Sequence, residues 1–153
     1  IANNISFWEC DSQEDICKKV IKDAAILANC DRFINEAEMG YETIIGDKGI
    51  RLSGGQRQRI AIARELFKEP MIMIFDEATS ALDTESEQLI QQSINSLKGD
   101  RTIVIIAHRL STVRNCDYIY VFKDGRIVEE GIFDELYGDT NSRFYSMCKA
   151  QNL

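Results

Sequence analysis

Met71-Ile72-Met73-Ile74-Phe75-Asp76-Glu77 reads as an apolar strand that ends in two adjacent carboxylates. A second apolar run, Thr102 to Ala107, lies downstream, and the segment between them, Glu85 to Leu97, is patterned like a helix. Strand, helix, buried strand is the signature of a parallel α/β sheet. Such a sheet delivers the C-terminal residues of its strands to a ligand crevice, so Asp76 and Glu77 should emerge there, with His108 directly after the second strand. Beyond it, Tyr118 to Phe122 and Arg126 to Glu130 flank Lys123-Asp124-Gly125, which predicts an antiparallel hairpin. The stretch from Ser142 to Leu153 predicts a last short helix.

Upstream of the strand the period changes to that of helices. A helix is expected from Asp11 through about Ala28, with Ser12 three residues before Asp15 and Ile16, Val20, Ala24 and Leu27 on one face. Asp31 is placed to cap a short helix carrying Phe33, Ile34 and Ala37, and Gly40 to end it. Thr43 to Gly49 reads as a loop. A third helix should start at Ser53-Gly54-Gly55, run through Ile60, Ala63 and Phe67, and stop before Pro70, since proline disfavours helix in the residue before it.

Composition narrows the class. The 153 residues carry a formal charge of -7, so their field repels phosphate backbones and nucleic acid is excluded as a partner. No apolar run approaches the roughly 20 residues that a membrane-spanning helix needs. The five cysteines include no C-x-x-C pair, which points to reduced cytosolic thiols rather than a zinc site or a disulfide framework.

Leu52-Ser53-Gly54-Gly55-Gln56 is the most specific string. A serine and two glycines opening a helix present a hydroxyl and uncrowded backbone N–H groups at the positive end of the helix dipole, which suits a phosphate. A bare Ser-Gly-Gly would equally be a glycine-rich N-cap, and a bare Asp-Glu a solvated pair. The full five-residue string, at about one in twenty per position, would arise by chance in such a chain roughly once in twenty thousand. Followed by Arg57-Gln58-Arg59, it resembles the signature motif of ATP-binding cassette (ABC) ATPases.

The resemblance covers essentially the whole chain. Met71 to Glu77 is similar to a Walker B motif, Ser80-Ala81-Leu82-Asp83 to the D-loop, and His108 to the switch histidine of the H-loop. Thr43 to Gly49 resembles the X-loop of exporters, and Asp124 to Gly131 also runs as in bacterial exporter cassettes. The implied fold is α/β: a P-loop NTPase (RecA-like) core sheet, incomplete at its N-terminal side, with the ABC α-helical subdomain. Residues 1–68 would form that subdomain with the X-loop and signature helix, and 69–153 the C-terminal half of the core. The implied cofactors are ATP and Mg2+. Asp76 would hold the metal, Glu77 would act as general base and His108 would contact the γ-phosphate, making the last two catalytic. Ser53, Gly54, Gly55, Gln56 and Asp83 would serve the nucleotide across a dimer of cassettes.

No G-x-x-x-x-G-K-[S/T] string occurs in these residues. In the family that phosphate loop lies upstream, and Ile1 to Phe7 resembles the segment just beyond the Q-loop, so the chain is expected to begin inside the domain. The strand leading into Walker A lies in the family between those matching Thr102 to Ala107 and Tyr118 to Phe122. The core sheet is therefore expected to be split, with the first two strands paired in parallel and the hairpin closing onto the gap or pairing with another copy. The implied function is the ATPase domain of an exporter at the cytoplasmic face of the cell membrane. Its partners would be a second cassette, in a homo- or heterodimer, and transmembrane domains. A non-catalytic docking module is the alternative for the chain alone. An ABC ATPase of DNA maintenance is disfavoured by the acidic balance and the lack of long heptad segments.

Overall fold

The computed structural model describes residues 1–11, 14–76, 82–107 and 109–151, apart from the side chains of Lys48 and Ser111. The chain divides into two compact units. The first runs from Ile1 to Ile74 and takes in the later segment that ends at Val104; the second holds the end of the first strand and the chain from Ile105 onward.

The first unit is mainly helical: α1 (Ala2–Ser6), α2 (Asp15–Leu27), α3 (Asp31–Glu36), α4 (Gly54–Phe67) and α5 (Thr84–Ser96). Helices α1, α2 and α4 pack on one another, and α5 packs on α4. Ile5, Ile21, Ala25, Ala28, Ile34, Ala63 and Ile90 are almost completely buried. The predicted signature helix is present as drawn, from a Ser53 cap to Phe67. Two helical expectations are corrected. Helix α2 begins at Asp15 behind a Glu14 N-cap, four residues after Asp11, while the Ser12 start signal lies outside the described residues. Its buried face is Cys17, Ile21, Ala24 and Ala25, whereas Ile16 is 82% exposed. Small residues let α2 approach its neighbours closely, so alanines and a cysteine, rather than the bulkiest side chains, mark the packed stripe. Gly40 does not end α3: Ala37 is its C-cap, and Gly40 instead opens a 3-10 turn, Gly40–Glu42, at φ 51°.

Strands β1 (Ile72–Asp76) and β2 (Thr102–Ile106) form a two-stranded sheet. The Thr102 N–H donates to the Met71 carbonyl at 3.0 Å, joining the starting ends of both strands and so aligning them in parallel. The expectation of fully buried strands is corrected. In β1, Met73 and Phe75 are buried while Ile72 and Ile74 are 62% and 67% exposed, and Val104 and Ile106 of β2 are also exposed. The apolar run satisfies both readings of a strand, two-sided burial and one-sided burial, so the sequence does not distinguish them.

The second unit contains the hairpin of β3 (Ile119–Lys123) and β4 (Arg126–Gly131), followed by α6 (Phe133–Gly138) and α7 (Arg143–Ala150). Asp124 and Gly125, at φ 50° and 75°, form the two-residue loop between paired Lys123 and Arg126. Positive φ at both positions matches the twist of the flanking strands, and Asp-Gly is a favoured pair for it. Among the described residues β3 and β4 form a two-stranded sheet of their own, and the expected closure of the hairpin onto the gap beside β1–β2 is not made by strand pairing. Its core gathers Leu110, Val113, Ile119, Val121, Leu136, Phe144 and Cys148. Ser142 Oγ caps α7 by accepting from the Tyr145 N–H at 2.8 Å, and the Glu129 carboxylate accepts from the Arg143 and Phe144 N–H groups at 2.6 and 2.9 Å. A negative charge on those orphan amides complements the helix dipole.

The expectation of uniformly reduced thiols is also corrected, because Cys10 and Cys17 are joined in a disulfide. Seven residues apart, they stand at a Cα–Cα distance of 6.3 Å, within bridging range. No spacing motif in the sequence announces that approach.

Candidate nucleotide site at the start of two helices

Ser53, at φ -65° and ψ 164°, has the extended backbone of an N-cap. Its Oγ accepts from the Gln56 N–H at 3.2 Å, and Gln56 Oε1 accepts from the Ser53 N–H at 2.9 Å. This reciprocal capping box leaves the Ser53 hydroxyl proton and the Gln56 side-chain NH2 available to a ligand. Helical geometry gives the Gly54 and Gly55 N–H groups no acceptor within α4. Ser53 and Gly54 are exposed. Arg57 braces the turn before the cap by donating from Nη1 to the Leu52 carbonyl at 2.6 Å.

Asp83 caps α5 in the same way. It accepts from the Ser86 N–H through Oδ1 and from the Ser86 hydroxyl through Oδ2, both at 2.9 Å. These two hydrogen bonds, the backbone one foremost, hold the Asp83 carboxyl below the usual carboxylate range. Leu82, just before the cap, packs beside Gly54, and Ser86 faces Gly55. The structure therefore brings Ser53, Gly54, Gly55, Gln56 and Asp83 together at two adjacent helix starts.

Asp76 closes β1 as an exposed carboxylate. Glu77 and His108, and with them Ser80 and Ala81 of the D-loop string, lie outside the described residues. Among the described residues no group of three or more His, Cys, Asp or Glu is disposed to cage a metal. A lone exposed carboxylate does fit a hydrated magnesium ion that arrives with a polyphosphate, because Mg2+ is commonly held by one or two carboxylates, phosphates and several waters. Separately, the exposed Ser53–Gly54 start of α4 fits a nucleotide phosphate.

Sequence reasoning missed three supporting residues. Arg59 is buried inside the unit, donating from Nη1 to the Asn29 carbonyl at 2.8 Å and lying 5.1 Å from the ring centre of Phe33. Asn29 and Ser86 are the others. Arg59 could not be found from an apolar pattern, and neither could Ser86, but Asn29 stands at the end of a helical period where a left-handed residue is common.

Residues 3–80 match the ABC transporter family model. The chain belongs to the ABC transporter family. It is 47% identical over 151 residues to ABC transporter B family member 1 of Dictyostelium discoideum, covering 99% of this chain and 16% of that protein. It is 52% identical over 136 residues to the ATP-dependent lipid A-core flippase of Yersinia pestis bv. Antiqua, covering 89% of this chain and 23% of that protein. Among solved structures it is similar to a bacterial Atm1-family ABC exporter with ATP bound, with a TM-score of 0.83 and 38% identity over 99% of this chain and 26% of that one. The resemblance to an exporter cassette and its P-loop NTPase fold class is thereby shown, and the chain spans at most about a quarter of the length of these relatives.

Proposed function

We propose that this chain is part of the nucleotide-binding domain of an ABC exporter, where ATP binding and hydrolysis at an interface of two cassettes drive transport. The observation that carries this reading is the exposed start of α4, where Ser53 caps the helix while its hydroxyl proton and the N–H of exposed Gly54 stay open to a phosphate. In this reading Ser53, Gly54, Gly55 and Gln56 contact ATP held by the other cassette, and Asp83 reaches across the same interface. Asp76 orients the magnesium ion of the chain's own nucleotide, and when bound that ion neutralises developing phosphate charge. Glu77 takes the proton of the attacking water, and His108 contacts the γ-phosphate. Residues 1–68 serve as the helical subdomain and 69–153 as half of the catalytic core. Exposed Trp8, Ile44 and Ile50 would meet transmembrane domains at the cytoplasmic face of a membrane. Lacking a phosphate loop of its own, the 153-residue chain alone is inactive.

The test is steady-state hydrolysis by the full-length protein that carries this chain. Glu77→Gln should nearly abolish turnover and leave ATP binding intact, because it removes the base and little else. Unchanged turnover would assign the base elsewhere, and magnesium-dependent turnover by the 153-residue chain above its own Glu77→Gln control would overturn the inactivity of the chain alone.

A further inference from the structure

The two glycines of the signature turn are not equivalent. Gly54 is exposed, and a Cβ built on it would meet Leu82 Cδ2 at 3.7 Å and Arg57 Nη2 at 3.9 Å, which is ordinary contact. Gly55 is buried, and a Cβ there would lie 2.5 Å from Ser86 Cβ and closer still to Ser86 Oγ. Gly55 also lies within α4, where glycine is less favourable than alanine, and it has no positive φ to require glycine. Space, rather than backbone conformation, excludes a side chain.

Ser86 has little freedom to yield. It is 8% exposed, its N–H is bound to Asp83 Oδ1 and its hydroxyl to Asp83 Oδ2. Arg59 Nε donates to the Gly55 carbonyl at 3.4 Å. Gly55 thus touches both Arg59 of its own helix and the first turn of α5.

We infer that Ser86 is a positioning residue: its contact with Gly55 fixes the signature turn against the Asp83 cap, so that the two helix starts meet a ligand as one rigid unit. The side chain missing at position 55 makes room for α5, not for the nucleotide. The role in turnover rests on the ATPase reading proposed above, while the contact itself does not.

The test is a rescue series in the full-length protein, following the thermal unfolding midpoint together with kcat and KM for ATP. Gly55→Ala should lower the midpoint and reduce kcat by about tenfold to a hundredfold with a smaller change in KM, the scale expected for a misplacement near 1 Å. Adding Ser86→Gly should restore the midpoint and return kcat to within about threefold of the Ser86→Gly single variant. Adding Ser86→Ala should restore neither, because the Ser86 Cβ that collides with the new one remains. A restored midpoint without restored kcat would mean that the added methyl group obstructs the nucleotide itself, and would overturn the positioning role. Equal rescue by alanine, or an unaltered Gly55→Ala protein, would overturn the contact. If Gly55→Ala fails to fold, recovery of folding by Ser86→Gly alone supports the pair and continued misfolding rejects it. Glu77→Gln in the same assay keeps the two ideas apart: unchanged turnover there removes the ATPase reading, and the unfolding series still decides whether Gly55 and Ser86 act as a pair.

Discussion

Asn29 donates its side-chain amide to Ser93 Oγ at 2.9 Å and to the Leu89 carbonyl at 3.1 Å, tying the end of α2 to the middle of α5. Its own carbonyl accepts from Arg59 of α4, so one residue at φ 54° links three helices. Asparagine is among the few residues that tolerate this left-handed conformation. Asn29→Gly keeps the conformation and loses the two side-chain bonds, which should cost about 1–3 kcal/mol. Asn29→Ala adds backbone strain and should cost roughly 1 kcal/mol more. Urea denaturation would measure both, and an alanine variant as stable as the glycine one would show that the turn relaxes.

The Cys10–Cys17 bridge closes a loop of about eight residues, which in the chain-entropy picture stabilises the fold by about 2–3 kcal/mol. Reduction should therefore lower the unfolding midpoint of wild type and leave Cys10→Ser unaffected. Mass spectrometry after alkylation should find Cys10 and Cys17 labelled only when a reductant is added. Burial pushes the Cys30 thiol up to about 12, against a smaller opposing effect of Arg59, so Cys30 should resist alkylation in the folded chain. Labelling of Cys10 without reductant would show that the bridge is not populated in solution.

Ser53 has two separable tasks, capping α4 and meeting phosphate. Ser53→Ala removes the cap and should cost about 1 kcal/mol of stability. Ser53→Asp keeps a good cap but sets a carboxylate against the ligand, so stability should hold while ATP-driven association of cassettes weakens. Ser53→Arg should likewise block closure by bulk and leave ATP binding to a single cassette intact. Normal ATP-dependent association by both charged variants, followed by light scattering, would mean that Ser53 does not face nucleotide.

The order of α2 to α5, the hairpin and the signature turn were legible because each has a local cause: a period, an Asp-Gly turn, a serine before two glycines; α1 and α6, at five and six residues, are too short to show a period. The strand–helix–strand order at Met71 to Ala107 was legible for the same reason. What the sequence concealed depends on tertiary approach. The Ile16 face of α2 failed because alanines and Cys17 turn inward, and bulk alone ranked the residues wrongly. Gly55 could be read as a glycine that opens space, but only the position of Ser86 shows for what. The disulfide was hidden for a related reason, since a seven-residue separation brings two cysteines together only if the chain between them turns back.

Asp83 offers a test of the α5 cap that depends on pH. Its carboxyl sits below the usual 3.8 because the Ser86 N–H and then the Ser86 hydroxyl bond to the ionised form. The folded state therefore releases this proton more readily than the unfolded state, and between the two pKa values the unfolded chain binds more protons. Stability from this group is fully present above the unfolded value near 3.8 and is lost as pH falls through the lower, folded value. Asparagine also caps helices but does not titrate, so the stability difference between wild type and Asp83→Asn should be constant near neutral pH and shift only in strong acid. In a carbon-detected NMR titration the Asp83 carboxyl should show a depressed midpoint. Ser86→Ala should raise that midpoint part of the way, since it removes the hydroxyl donor and spares the larger backbone contribution. A midpoint at the ordinary value in wild type, or one that Ser86→Ala leaves unmoved, would show that the hydroxyl of Ser86 is not bound to Asp83 in solution.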